Sequence, residues 1–199
     1  AGAALREAHD GEAPLPLLLA LPEPQPGTTA LDPNFLKNLS VQAGVTLDLD
    51  ASRVMALGRA GGLWAVEQAL TLLATTKLPG VLVGGVDTFL DLRRLAELDA
   101  EGRLRSDGPS DGFIPGEAAA FLWLARPGEG KRLGRAPLAR IAAAGVGREP
   151  GHRYSETPYR GEGLAQAYRA LCQRWPAPRG RITWVFGGLN GEGLWAKEW

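Results

Sequence analysis

Short unbroken apolar runs alternate along this chain with stretches whose apolar residues recur at helical spacing. That alternation restricts the fold more than any other feature. Its sharpest instance is LGRAGGLWAV (57–66). Ahead of it, SRVMAL (52–57) reads as a short extended segment; behind it, Leu63, Val66, Leu70 and Leu73 recur every three or four residues. A strand, a tight Gly-rich turn and a helix thus follow in immediate succession. Many α/β enzymes present a nucleophile or bind an anion at such a junction. This chain presents Arg59 there.

The same alternation extends in both directions. AALREAHD (3–10) reads as the end of a helix, and PLPLLLALPEPQPG (14–27) as a buried strand entering a proline-rich connection. Asp32-Pro33 opens a helical stretch, NFLKNLSVQAG (34–44), closed by Gly44 as C-cap. The helix after the Gly-rich turn runs to about Thr76, and Val81 to Val83 in LPGVLVGGVDT (78–88) form a continuous apolar strand ending in paired glycines. DLRRLAEL (91–98) is a short amphipathic helix, SDGPSDGF (106–113) a polar turn and EAAAFLWLARP (117–127) a second apolar strand. GEGKRLGR (128–135) reads as a solvated hairpin loop, PLARIAAAGVG (137–147) as a third strand, and REPGHRYSETPYRGEG (148–163) as irregular. EGLAQAYRALCQRW (162–175) is a helix, and RITWVF (181–186) a strand running into GGLNGEG (187–193). The expected class is α/β with packed layers.

Composition narrows function mainly by exclusion. In 199 residues, 22 basic side chains balance 22 acidic ones, so nothing in the charge points to nucleic acid or an anionic membrane as partner. No apolar run approaches the ~20 residues of a membrane span, and the first residues lack the basic and apolar regions of a secretion signal. A cytoplasmic location is the expectation. The chain begins without an initiator methionine, which leaves open that it is a processed or partial piece. Cys172 is the single cysteine, which excludes an intrachain disulfide. With only His9 and His152 besides, a zinc site is not expected.

Three stretches together resemble a β-ketoacyl synthase of the thiolase-like superfamily. VLVGGVDT (81–88) is similar to that family's apolar strand ending in Gly-Gly and a small or acidic residue. DGFIPGEAAAFLWL (111–124) is similar to its Asp-Gly-Phe-x-x-Gly-Glu turn and following strand. LGRAGGLWAV stands at the spacing of its nucleophile-bearing turn. The firm resemblance runs from roughly Asn34 to Arg126.

The resemblance implies a partial layered αβαβα fold. Residues 1–126 would be the remainder of its N-terminal half and 127–199 the start of its C-terminal half. It also implies a role in fatty acid or polyketide synthesis, without a cofactor. Its partners would be an acyl-carrier protein or acyl-thioester, and a second subunit forming a homodimer or a heterodimer with a ketosynthase.

The family's chemistry needs a cysteine thiolate at a helix N-terminus and histidines that stabilise the developing enolate. Carried over, the nucleophile position falls on Arg59, followed by Ala60, Gly61 and Gly62. A guanidinium has no acceptor and no accessible deprotonated state, so it cannot attack a thioester. The first catalytic histidine falls on Gly188, in WVFGGLNGE (184–192). The ordinary condensing mechanism is therefore not supported.

Each candidate residue carries two readings. Arg59 is either a structural cation or, with Gly61, Gly62 and Phe113, part of a former acyl pocket that binds a carboxylate or phosphate. Asp111, Gly112, Phe113, Gly116 and Glu117 read as scaffold. Cys172 shares its helix with Leu164, Tyr168 and Leu171 and is expected to be core or half-buried. His9 and His152 are expected to be solvated. Trp195 and Trp199 suggest packing against something beyond this piece. Three functions remain: a non-condensing subunit that shapes a partner's pocket, an acyltransferase with an unidentified nucleophile, and an accessory protein without a ligand.

Overall fold

A computed structural model describes residues 1–9, 13–24, 31–105, 111–132, 134–175 and 182–196. The chain divides into two compact units, one of Ala1–Asp87 with Ala118–Arg140 and one of Thr88–Glu117 with Ile141–Trp199.

In the first unit, helix α1 (Gly2–Ala8) precedes strand β1 (Leu17–Ala20), and helix α2 (Phe35–Ala43) precedes strand β2 (Arg53–Met55). A single 3-10 turn, Gly58–Ala60, leads into helix α3 (Gly61–Thr75), and strand β3 (Gly80–Thr88) follows. Strand β4 (Glu117–Ala125) and the one-turn helix α5 (Glu129–Arg132) return the chain to this unit. The four strands form one sheet in the order β2-β1-β3-β4, with β1 parallel to both of its neighbours. Leu18 lies opposite Arg53 on one side and Val83 on the other.

The LLLA run of β1 is wholly buried because both faces of the sheet are covered. The period of two then sorts its leucines. Leu17 and Leu19 join Leu82 and the α1 and α2 residues Leu5, Leu39 and Ala43 in one cluster. Leu18 joins Val81, Val83 and the α3 residues Ala65, Ala69 and Leu73 in the other. Helices, sheet, helix: the layered α/β expectation holds. Gly44 closes α2 as expected, left-handed at φ 62°, donating to Ser40 and Val41 carbonyls. Gly84 is required for another reason: any Cβ there would run into the Phe121 ring of β4.

The second unit contains helix α4 (Leu92–Ala100), capped by Asp91 Oδ1, which accepts from Arg94 N at 2.9 Å. It also holds helix α6 (Glu162–Arg174) and the one-turn helix α7 (Gly193–Ala196). Leu98 is fully buried in this unit.

Several expectations are corrected. The third strand expected over 137–147 is irregular among the described residues. Among the described residues no strand pairs with it; instead Gly145 and Gly147 press their backbones on α6, where a Cβ would meet Leu171 N at 2.6 Å or Ala167 N at 2.8 Å. The strand expected at 181–186 is irregular from Ile182 onward, with Ile182 63% and Phe186 88% exposed, again without a pairing strand among the described residues. Residue 181 lies outside them, as do 106–110 of the polar turn, Leu133 and Trp199. The hairpin loop expected at 128–135 contains α5 instead. Glu129 in its first turn pairs with Arg132 at 2.9 Å, a favourable order for the helix dipole.

Cys172 is exposed, not core or half-buried, because α6 turns the small residues Gly163 and Ala167 toward the 145–149 segment. His9 is buried, not solvated, with Nε2 3.0 Å from the Ala13 carbonyl oxygen. His152 is exposed as expected.

Candidate functional site

β2 delivers the chain to the turn at 57–62 in continuous register with β1. Leu21 N donates to the Met55 carbonyl at 3.0 Å and Gly58 N to the Leu21 carbonyl at 3.1 Å. Gly58 adopts φ 56°, which permits the sharp change of direction. Arg59 and Ala60 are exposed, Gly61 is buried and Gly62 is half-buried. The two glycines have different reasons. A Cβ on Gly61 would lie 3.1 Å from Ala20 Cβ and 3.4 Å from the Met55 carbonyl oxygen, so its bare Cα lets α3 start against the sheet. A Cβ on Gly62 would meet nothing within 4 Å.

The start of α3 carries no side-chain cap and no acidic residue in its first turn. Arg59 stands just ahead of it, a cation at the positive end of the helix dipole. Arg59 already interacts within the protein. Leu57 (39%), Leu63 (74%) and Trp64 (38%) are exposed along the same stretch. Ser, Cys and His are absent between 54 and 105 in the sequence, so no side chain of those types is supplied by this turn or helix. A cleft of about 620 Å³ in the same unit is lined by Leu18, Asp48, Asp50, Ala51, Arg53, Gln68 and Leu72, none of them a residue singled out from the sequence.

The second unit joins two motifs that lie far apart in sequence. Asp111 Oδ1 accepts from Gly193 N at 2.5 Å. Gly191, at φ 105°, packs so closely on this turn that a Cβ would lie 2.7 Å from the Gly112 carbonyl oxygen. Phe113 is buried, edge-on to Phe89 at 5.0 Å, with the Arg103 guanidinium 5.8 Å from its ring centre. Phe113 N donates to the Arg103 carbonyl at 2.9 Å, and Arg105 N to the Phe113 carbonyl at 3.0 Å. Glu117 Oε2 accepts from Thr88 Oγ1 at 3.2 Å. Asp111, Gly112, Phe113 and Glu117 thus make scaffold contacts here. Gly188 is exposed.

The strongest electrostatics lie beside Gly188, at Glu192. Its carboxylate is buried and accepts from Arg103 Nε at 2.8 Å, Arg153 Nη2 at 2.6 Å, Asn190 Nδ2 at 2.7 Å and Trp195 Nε1 at 2.9 Å. Burial alone would push this carboxyl up; the bonds from Arg103, Asn190 and Trp195 outweigh it and hold it at about 2. Trp195 is therefore a half-buried partner of Glu192 and sits edge-on to Tyr159 at 6.5 Å. Sequence reading passed over Glu192, Arg103 and Arg153; a lone acid in a Gly-rich loop is the only local signal. Among the described residues no cluster of three or more His, Cys, Asp or Glu could hold a metal ion. Nor is any described helix long and apolar enough to cross a membrane.

No protein-family model matches this sequence, and no curated protein matches it at the level of sequence. Solved structures do match. A type II polyketide ketosynthase in complex with its acyl-carrier protein is similar over 92% of this chain and 54% of its own, with TM-score 0.69 and 12% identity. The Streptomyces albus oxazolomycin ketosynthase domain is similar over 98% of this chain and 37% of its own, with TM-score 0.69 and 15% identity. A β-ketoacyl synthase from Burkholderia phymatum is similar over 92% and 53%, with TM-score 0.59 and 17% identity. The chain thus spans about half or less of the ketosynthases it matches. Its fold is ketosynthase-like, of the thiolase type, over the part of that architecture it spans.

Proposed function

We propose that this chain is a non-condensing ketosynthase-like subunit of fatty acid or polyketide synthesis that keeps the fold and contributes a dimer face or shapes a partner's acyl pocket. The observation that carries the reading is Arg59. It occupies the turn between β2 and α3 where the resemblance puts the nucleophile, and a guanidinium cannot attack a thioester. The open space at Gly62 and the uncapped start of α3 agree with a turn whose backbone device is retained while its chemistry is gone. Gly61, Gly62 and Phe113 would then belong to a vestigial pocket, with residues 1–126 and 127–199 in the successive halves of the architecture. An acyl-carrier protein, or a ketosynthase as second subunit, is the partner this reading favours.

Intact-protein mass spectrometry after incubation with acyl- and malonyl-thioesters tests it. No adduct on the native chain, but one on Arg59→Cys, supports a disarmed synthase turn. A stable adduct on the native chain overturns the reading in favour of an acyltransferase with another nucleophile. The exposed Cys172 would be the first residue to map.

A further inference from the structure

We propose that residues 188–196 form a strap whose principal anchor is a buried carboxylate, with Glu192 as the latch and the guanidinium groups of Arg103 and Arg153 as a carboxylate receptor. The contrast in exposure points to this. Glu192 is 3% exposed, whereas the approach to it is open, with Trp184 at 77%, Phe186 at 88% and Leu189 at 55%. An exposed approach thus leads to one fully inserted charged side chain, beside the half-buried Trp195. A carboxylate without water is tolerable only where donors are already in place.

Those donors fall into separate groups. Asn190 and Trp195 belong to the strap and would travel with it. Arg103 and Arg153 do not. Arg103 grips both carboxylate oxygens, through Nε at 2.8 Å and Nη2 at 3.3 Å, and Arg153 Nη2 adds a third bond at 2.6 Å. Arg103 is itself fixed from the other side: Nη1 donates to Glu101 Oε2 at 3.3 Å and to the Tyr154 hydroxyl at 3.2 Å, and Cζ lies over the Phe113 ring at 5.8 Å from its centre. The Tyr154 hydroxyl in turn donates to Glu101 Oε2 at 3.0 Å. The Arg103 half of the receptor is therefore preorganised independently of the strap, which is what a forked carboxylate site requires. Gly193 N on Asp111 Oδ1 is a second, neutral-donor attachment on the strap. With the latch removed, Arg103 keeps Glu101 on its Nη1 side while its Nε and Nη2 and Arg153 Nη2 lose the carboxylate they hold, and a small free carboxylate has the charge and fork geometry to enter. This inference does not depend on the proposed function.

Amide hydrogen exchange on the full chain tests it, in sodium chloride and in sodium formate at matched ionic strength. In Glu192→Ala, the amides of 193–196 exchange about tenfold faster than in the native chain in chloride, while those of α4 and α6 are unchanged, and formate restores most of the protection. Unchanged exchange at 193–196 overturns the latch. Loss of protection spreading through α4 and α6 overturns it too, since Glu192 would then be part of the core. Equal behaviour in formate and chloride overturns the receptor. If Glu192→Ala does not fold, Arg153→Met serves, because it deletes one donor whose side chain is 30% exposed. Faster exchange confined to 193–196 supports the proposal, and no change or global loss refutes it.

Discussion

Arg103 and Glu192 stand 89 residues apart in sequence and meet as a forked ion pair, Nε on Oε1 at 2.8 Å and Nη2 on Oε2 at 3.3 Å. The pair ties the turn after α4 to the loop that the resemblance equates with a catalytic histidine motif. The side chains are 11% and 2% exposed, so neither solvent nor salt screens them as they would a surface pair.

The acid limb of stability follows from that pair. The Glu192 carboxyl lies at about 2 in the folded chain, against an ordinary 4.5, so the folded state binds its proton less readily than the unfolded one. Its contribution is complete above the unfolded value and is lost as pH falls from about 5 to about 2. Glu192→Gln should speed exchange at the 193–196 amides at neutral pH, and the gap to the native chain should narrow across that acid window. A gap independent of pH would show that the charge contributes nothing.

Glu149 is expected to behave similarly at the start of α6. Gly161 gives that helix no side-chain cap, and Glu149 supplies one from outside: Oε2 accepts from Gly163 N at 2.8 Å. This bond, with weaker ones from the Arg160 and Gly151 amides, holds the carboxyl below its usual range against the opposing effect of burial. Glu149→Ala should loosen the first turn of α6 at neutral pH, read as faster exchange at the 163–166 amides. The difference from the native chain should fade as acid protonates the carboxylate, and a difference that persists in acid would assign the effect to packing instead of charge.

The glycines at the turn between β2 and α3 give a paired test of packing. Gly61→Ala brings a methyl to 3.1 Å from Ala20 Cβ, so α3 or β1 must give way, and a loss of about 1 kcal/mol in unfolding free energy is expected. Gly62→Ala meets open space and gains helix propensity, so it should be neutral or stabilising by a few tenths of a kcal/mol. Equal effects from the two substitutions would mean that α3 does not sit against the sheet as described.

Legibility in the sequence followed the range of the interactions. β1, α2, α3 and β3 could be read because local pattern and burial agree: LLLA is apolar at every position, Gly44 ends α2, and Leu70 and Leu73 keep helical spacing. RITWVF and PLARIAAAGVG have strand composition, but a strand exists only beside another strand, and none flanks them among the described residues. Arg59, Gly61 and Gly62 were legible as a turn because that geometry is local. The Glu192 cluster was not, because its donors at 103 and 153 are brought to it only by tertiary structure.

The free edge of the sheet supports the last prediction, which rests on the proposed dimer face. Among the described residues β2 is an edge strand, and its Met55 carbonyl accepts from Leu21 N, so Met55 bonds toward β1. Successive residues of a strand present their backbone groups to alternate sides, which turns the N–H and C=O of Val54 away from β1. An outward ladder of this kind is a template for pairing with a second chain. Val54→Pro deletes that outward N–H and leaves the bonds to β1 in place, and proline is tolerated at such edge positions. If the edge forms the dimer, sedimentation should show a concentration-dependent dimer for the native chain and monomer for Val54→Pro, with the far-UV circular dichroism retained. A native monomer at every concentration, with no association with a ketosynthase, would remove the dimer face from the proposed function. A dimer unaffected by Val54→Pro would place the interface elsewhere on the protein.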